Sequence, residues 1–487
     1  MFQANNQDFD RLVIVSNRLP ITLTEGDGGE WRVHPSSGGL VTALNPVLRE
    51  RQGLWIGWTG TFEEIELDGL MRTFKQNTGY ALQPVILSRE DVDQYYLGFS
   101  NQILWPLFHD FQSRCNFDPD YWATYKEVNR KFTQVVADNT TPNDYIWVQD
   151  YQLMLVAKEL RGMRGKENIG FFLHTPFPPL DICIKLPWHS QVLKALLEYD
   201  LIGFQTIRDR NNFLQCLSSL IKGLHFDARK QISTILFADR EVMAGVFPIS
   251  IDFNEFAKEA EDGTVTKRVK QLRQAVPNRQ IILGVDRLDY SKGIPERLKA
   301  FQNALERFND LIGKVTFIQI VVPSRGDIPE YQDLRTEIES LVGQINGRHT
   351  QSGWVPVHYM FRSLKRSELL AYYRVADIAL ITPLKDGMNL IAKEYCAAKI
   401  DSIGVLILSQ FAGAADQLRR YALLVNPYDI EGMADAIHRA YLMDQGEREL
   451  RMRKLRKTVR KRDIFWWLNA FLTVAATNKI PDSSDNT

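Results

Sequence analysis

Residues 281–293 read Ile-Ile-Leu-Gly-Val-Asp-Arg-Leu-Asp-Tyr-Ser-Lys-Gly. The apolar run Ile281 to Val285 fits a strand buried on both faces. It runs into Arg287, and Lys292-Gly293 follows five residues later. A second stretch near the N-terminus has the same design. There Leu12 to Val15 leads into Ser16-Asn17-Arg18, and Gly38-Gly39 opens a helix downstream. Each stretch sets a strand end beside groups that bind anions.

Outward from these two stretches, short runs rich in Val, Ile and Phe alternate with amphipathic segments, the signature of β-α units around parallel sheets. In the first half the strands read as Leu12–Val15, Tyr145–Val148, Ile169–Leu173, Leu201–Phe204 and Val242–Val246. In the second half they read as Ile281–Val285, Val315–Val322, His358–Phe361, Ile378–Ile381, Val405–Leu408 and Ala422–Val425. Helical patterns intervene, among them Leu153–Arg161, Arg208–Ile221, Ile294–Phe308, Ser367–Val375, Leu390–Ala398 and Ile430–Met443. The expected fold is α/β with two doubly wound domains, residues 1–247 and 248–462, crossing near Pro248 to Asp252. The aromatic segment 463–480, with Phe465, Trp466, Trp467 and Phe471, is expected to pack back on the first domain.

Composition narrows the function classes. Lys plus Arg and Asp plus Glu number 59 each, so the net charge is zero. A general nucleic-acid binder needs a basic surface, so none is expected. The four cysteines are scattered, which argues against a disulfide framework or a structural metal site and favours a reducing cytoplasm. The N-terminus lacks a signal-peptide pattern. No apolar stretch reaches the roughly 20 residues that span a bilayer. Neither a membrane partner nor room for a fused phosphatase is expected, and a homo-oligomer is compatible with the sequence.

In open α/β sheets ligands bind beyond the C-terminal strand ends. Arg18, Asp150, His174, Arg287, Arg325 and Asp386 all fall near such ends. Gly38 and Gly39 let a ligand approach a helix N-terminus, although a plain tight turn reads the same way. Arg287 and Lys292 can stabilise charge growing on a diphosphate leaving group without a metal, or they can be solvated charges of a capping loop. No Asp-x-Asp pair follows a buried strand, so no catalytic metal is expected. Asp386-Gly387-Met388-Asn389 precedes the helix at Leu390 and can offer backbone amides to a ligand; alternatively Asp386 caps that helix. Glu394 can accept hydrogen bonds from a ribose diol. His174, before the stiff Pro176-Phe177-Pro178-Pro179 turn, is either structural or catalytic. Trp55, Trp58, Tyr95, Tyr96 and Trp105 are candidate walls of a sugar pocket. Together the two anion sites suggest an enzyme joining a phosphorylated acceptor to a nucleotide-activated donor.

The chain resembles the trehalose-6-phosphate synthase family of retaining glycosyltransferases. The resemblance rests on Val15-Ser16-Asn17-Arg18, Ser37-Gly38-Gly39-Leu40, Ile103-Leu104-Trp105-Pro106 and Gly170 to Pro178 in the first half. In the second half it rests on Arg287 to Gly293, Ser324-Arg325-Gly326-Asp327 and Asp386 to Leu390. It implies a GT-B architecture, two Rossmann-like domains facing across a cleft. It also implies transfer of glucose from a nucleoside diphosphate glucose, usually UDP-glucose, to glucose 6-phosphate. The implied transfer is front-face, with retention of configuration.

By motif position, Arg18, Tyr96, Trp105 and Arg325 would hold the acceptor phosphate, with Trp58 nearby, and Asp150 and His174 would contact the sugars. Gly38 and Gly39 would face the donor. Arg287 and Lys292 would bind its diphosphate, the backbone of Asp386, Gly387, Met388, Asn389 and Leu390 its glucose and phosphate, Glu394 its ribose, and Leu364 and Leu369 its base. No cofactor is implied, and UDP, ADP and GDP stand open as the leaving group. The chain departs from the pattern at Gln149 and Gln152, where many members carry histidines, and at Lys385, where Arg is common. The nearest rivals are a glucosylglycerol-phosphate synthase using glycerol 3-phosphate and a sugar-phosphate sensor without turnover.

Overall fold

The computed structural model describes residues 9–25, 31–35, 39–62, 67–165, 167–227, 232–324 and 328–477. The chain divides into two compact units, Met1–Ile249 with Ile464–Thr487, and Ser250–Asp463. The strands of the first unit are β1 (Leu12–Arg18), β2 (Ile21–Glu25), β3 (Trp31–Pro35), β4 (Leu54–Trp58), β5 (Ala81–Val85), β6 (Tyr145–Gln149), β7 (Asn168–Phe172), β8 (Leu201–Phe204), β9 (His225–Asp227), β10 (Ile232–Phe237) and β11 (Arg240–Val246). Those of the second are β12 (Gln280–Arg287), β13 (Val315–Val322), β14 (Val357–Phe361), β15 (Ile378–Ile381), β16 (Val405–Ser409) and β17 (Leu423–Val425).

Among the described residues, the first unit carries one large sheet in the order β5-β4-β1-β6-β7-β8-β11-β10-β9, with β2-β3 a separate antiparallel pair. Its strands are parallel from β5 through β11, and β10 and β9 run antiparallel at one edge. The second unit carries the all-parallel order β14-β13-β12-β15-β16-β17. Both sheets therefore reverse direction beside their first strand. The reversal lies between β1 and β6 in one unit and between β12 and β15 in the other, and such switch points open ligand crevices at the carboxyl ends of the strands.

The strands form where buried β-branched and aromatic residues run continuously. All positions of β6, β8, β15 and β16 are buried, as expected for parallel strands covered by helices on both faces. The sequence reading omits β2, β3, β4, β5, β9 and β10. β5 contains Pro84, which cannot donate to a ladder and is tolerated because β5 is an edge strand. In β4, Gly57 permits a close crossing, because a Cβ there would stand 2.8 Å from the Arg18 carbonyl carbon. That crossing coincides with a register shift between Val15 and Arg18, which re-aims the end of β1.

The closing helix, Ile464–Thr477, packs its aromatic face on the first sheet. Trp467 and Phe471 stack on Trp147 of β6 at centroid distances of 5.1 and 4.2 Å. Both side chains are fully buried, each worth roughly 1.5–3 kcal/mol of apolar burial.

Candidate functional site

At the switch point of the first unit, Arg18 ends β1 exposed, its guanidinium 4.9 Å from the centroid of the Trp58 ring. Cation–π stacking of this kind restrains the side chain while leaving its N–H groups free to bind. Beside Arg18, Asn17 accepts a 3.0 Å hydrogen bond from the Tyr95 hydroxyl. Tyr95 and Tyr96 sit on a π-helical segment, Val92–Leu104, a rare conformation that concentrates at functional sites. Tyr95 is fully buried, whereas Tyr96 is half-buried. Trp105 follows the same segment and packs 5.9 Å from Tyr151 and 4.1 Å from His109.

The neighbouring strand β6 ends at Gln149, and Asp150 adopts φ +70°, a region non-glycine residues rarely occupy. Such a residue costs about 1–3 kcal/mol and persists only where its surroundings hold it. Here the Asp150 N–H donates to the Phe172 carbonyl at 2.8 Å, and its carboxylate accepts the His174 backbone N–H at 3.1 Å. Burial raises the carboxyl to about 6, against the lowering effect of backbone N–H groups from His174, Tyr151 and Thr175. His174 follows β7. Its Nε2 lies 3.0 Å from Gln149 Oε1, and its ring stands 4.7 Å from Phe172. Burial pushes this imidazole down to about 3, so the ring is neutral at ordinary pH.

At the switch point of the second unit, β12 ends at the exposed Arg287. A short 3₁₀ turn, Tyr290–Lys292, is fixed by Asp289, whose carboxylate accepts the Ser291 N–H. Gly293 then takes φ +64°, and a Cβ there would meet the Thr382 carbonyl oxygen at 2.4 Å, so both conformation and space require glycine. The turn delivers Lys292 Nζ to 2.7 Å from Asp386 Oδ2, with both side chains largely buried. An ammonium has three donors, so the pairing leaves others for a ligand.

Asp386 is tied to Lys292 rather than capping the helix Leu390–Ala398. Asn389 is the cap, with φ +71° and its side chain accepting the Ala392 N–H. Asn389 Nδ2 also donates to Asp386 Oδ2 at 3.1 Å. The loop 386–389 lies flush on its neighbour: Gly413 N donates to Asp386 O, and Ala414 N to Met388 O. Gly387 and Met388 are buried in this contact, and the helix from Leu390 begins directly after it. One turn on, Glu394 accepts the Tyr373 hydroxyl at 2.8 Å. Burial raises its carboxyl, opposed by Tyr373 and Arg366. Leu364, after β14, and Leu369, on the helix Arg366–Val375, are both half-buried.

Beneath this site is a residue that the sequence reading leaves on an amphipathic helix. Arg297 is fully buried and holds Asp286 at 2.6 Å, Thr382 at 3.0 Å, Gln319 at 3.2 Å and the Lys292 carbonyl at 3.2 Å. It ties together β12, β13, β15 and the lysine turn. Burial raises Asp286 and Arg297 opposes it. The only sequence signal is that Asp286 ends a buried strand and so needs a partner.

The structure brings together Arg18 with Trp58, Asp150 with His174, and Lys292 with Asp386 and Asn389. Gly38 and Arg325 lie outside the described residues, and Gly39 begins the helix Gly39–Glu50. Trp55 and Tyr95 are core residues rather than pocket walls, with Trp55 Nε1 donating to Ser16 Oγ at 2.7 Å. Of the Asp-x-Asp residues, Asp91 completes a capping box with Ser88, and Asp118 caps the helix Pro119–Asn139. Among the described residues, no group of three or more His, Cys, Asp or Glu could hold a metal ion, and no helix is long and apolar enough to cross a membrane.

Known proteins resemble this chain over nearly its whole length. A family model described as Glycosyltransferase family 20 matches residues 10–477. A trehalose-6-phosphate synthase of Mycobacterium marinum is 42% identical over 479 residues, covering 97% of this chain and 95% of the relative. Among solved structures, a UDP-forming alpha,alpha-trehalose-phosphate synthase from Burkholderia xenovorans, in complex with glucose-6-phosphate, superposes with TM-score 0.84 at 37% identity, covering 96% of this chain and 99% of the other. A protein from E. coli bound with UDP-2-fluoro glucose superposes with TM-score 0.85 at 38% identity, covering 97% of this chain and all of the other.

Proposed function

The chain belongs to glycosyltransferase family 20, and from that premise we propose that it transfers glucose from UDP-glucose to glucose 6-phosphate with retention, giving α,α-trehalose 6-phosphate and UDP. The observation that carries the proposal is the pairing of Lys292 with Asp386 at the second switch point, in a chain whose first switch point presents Arg18. One sheet end suits a departing diphosphate and the other a phosphorylated sugar.

In this reading Arg18, Tyr96, Trp105 and Arg325 receive the acceptor phosphate, with Trp58 holding Arg18 in place. Asp150 and His174 address sugar hydroxyls. On the donor side Gly38 and Gly39 admit the donor close to the backbone, and Arg287 and Lys292 take the diphosphate. The amides from Asp386 to Leu390 take the glucose and the adjoining phosphate, Glu394 takes the ribose, and Leu364 and Leu369 flank the uracil. As the glycosidic bond to phosphate breaks, negative charge accumulates on the leaving diphosphate. Fixed cations bind that state more tightly than the ground state, which is what lowers the barrier. The leaving phosphate oxygen then accepts the proton of the incoming hydroxyl on the same face, so configuration is kept. No cofactor enters this scheme, since Arg287 and Lys292 supply the charge a metal would. The four cysteines are free thiols, which fits a reducing cytoplasm as its compartment.

The test is a product assay with UDP-glucose and, in competition, glucose 6-phosphate and glycerol 3-phosphate. An α,α-linked disaccharide phosphate with stoichiometric UDP, identified by NMR, supports the proposal. Transfer to glycerol 3-phosphate, or tight nucleotide binding with no UDP released, overturns it.

A further inference from the structure

Where the family resemblance leads one to expect a histidine, this chain carries Gln149, and its position gives it a task. Gln149 is the last residue of β6, 2% exposed, and its Oε1 lies 3.0 Å from His174 Nε2. The amide nitrogen faces the Trp147 carbonyl oxygen at 3.5 Å, which leaves the oxygen toward the ring. A carbonyl oxygen only accepts, so Nε2 must carry the ring proton. Among the described residues Nδ1 has no hydrogen-bond partner, so it is the ring atom that can meet a ligand. The next residue, Asp150, holds the His174 main chain through its N–H. Two successive residues at one strand end thus fix both the backbone and the tautomer of one histidine.

We propose that Gln149 is a positioning residue that locks His174 into the Nε2–H tautomer, so that this chain offers an uncharged Nδ1 as acceptor for a sugar hydroxyl. The proposal rests on the reading of His174 as a sugar contact. The groups around the ring are Gln149, Phe172 and Trp467, all uncharged, and Asp150, whose carboxylate faces the backbone N–H; burial is what depresses the ring's proton affinity. An amide in this position cannot itself titrate. A carboxylate there would stabilise the imidazolium, and an alkyl chain would free the tautomer.

The experiment uses the full chain labelled with ¹⁵N-histidine, without substrate, followed by long-range ¹H–¹⁵N correlation between about pH 8 and about pH 5. The wild type should keep one signal pattern throughout, with Nε2 protonated and Nδ1 bare. Gln149→Glu should bring a His174 titration into that window, read in the ring nitrogen shifts, and should add to the acid limb of kcat/KM that Asp150 gives the wild type. Gln149→Leu should give mixed tautomers and a kcat lower by about ten-fold, with KM for glucose 6-phosphate less affected. A wild-type ring that titrates in the window, or a Gln149→Leu protein that keeps the wild-type tautomer, overturns the proposal. Should Gln149→Leu not fold, the wild-type and Gln149→Glu titrations decide it. These spectra need no turnover, so their failure is distinct from failure of the transferase reading, which would appear as wild type making no disaccharide phosphate.

Discussion

The two units repeat one sheet plan and furnish it with opposite chemistry. Both reverse strand order beside their first strand. In the first unit the residues after the fourth strand of that plan are Asp150, on strained backbone, and nearby His174, held neutral by burial and an amide partner. In the second unit the corresponding crevice holds the Lys292–Asp386 ion pair over the buried Arg297–Asp286 pair. The parallel sheet fixes where a ligand can sit, and the few side chains after its first and fourth strands decide which ligand. A crevice with Asp150, a neutral His174 and the exposed Arg18 at the end of β1 suits a phosphorylated sugar, while one with Arg287 and Lys292 suits a leaving group gaining charge.

The comparison breaks most readily at Arg297. Arg297→Ala should cost about 3–5 kcal/mol in chemical denaturation, since Asp286 is left buried and unpaired. Replacing both members with apolar residues should recover most of that stability, while a single variant as stable as wild type would show that the network does not support the site. Lys292→Ala comes next. Steady-state kinetics should show kcat lower by about 10²–10³-fold, the size of losing one preorganised charge donor. Turnover near that of wild type would remove the diphosphate role.

Asp150→Asn sharpens the first unit's side of the comparison. The wild-type carboxyl, raised to about 6, should give kcat/KM an acid limb, with activity falling as pH drops through that value and the carboxylate takes up its proton. The asparagine variant should lose the limb and run about ten-fold slower at neutral pH. The same shift has a stability sign. A carboxyl raised by burial favours the folded state at low pH, and that contribution is lost as pH rises through about 6. Tyr373→Phe should have the smallest effect. It removes one hydrogen bond to Glu394, worth about 1 kcal/mol, and should raise KM for UDP-glucose about five-fold with kcat kept.

Most of the two sheets is legible in the sequence because parallel strands buried on both faces leave unbroken apolar runs. Val315–Val322 and Ile378–Ile381 are read to the residue. β5 is hidden by Pro84, the β2–β3 hairpin by its polar exposed faces, and the π-helical segment by apolar spacing that an α-helix would share. Site residues at strand ends are legible by position alone: Arg18, Asp150, His174, Arg287 and Asp386. Their supports are not, because each support is a tertiary distance. Arg297 lies eleven residues from Asp286 and 85 from Thr382, and Tyr373 lies 21 from Glu394. The choice between Asp386 as cap and Asp386 as ion-pair partner likewise needs the position of Lys292, 94 residues away.

The division of labour between the two crevices is tested most directly by calorimetric titration of UDP and glucose 6-phosphate into Arg18→Ala and Lys292→Ala proteins. Lys292→Ala should lose affinity for UDP and keep glucose 6-phosphate, and Arg18→Ala should do the reverse. Loss of UDP binding in Arg18→Ala with binding intact in Lys292→Ala would contradict the assignment of donor and acceptor to these two sheet ends.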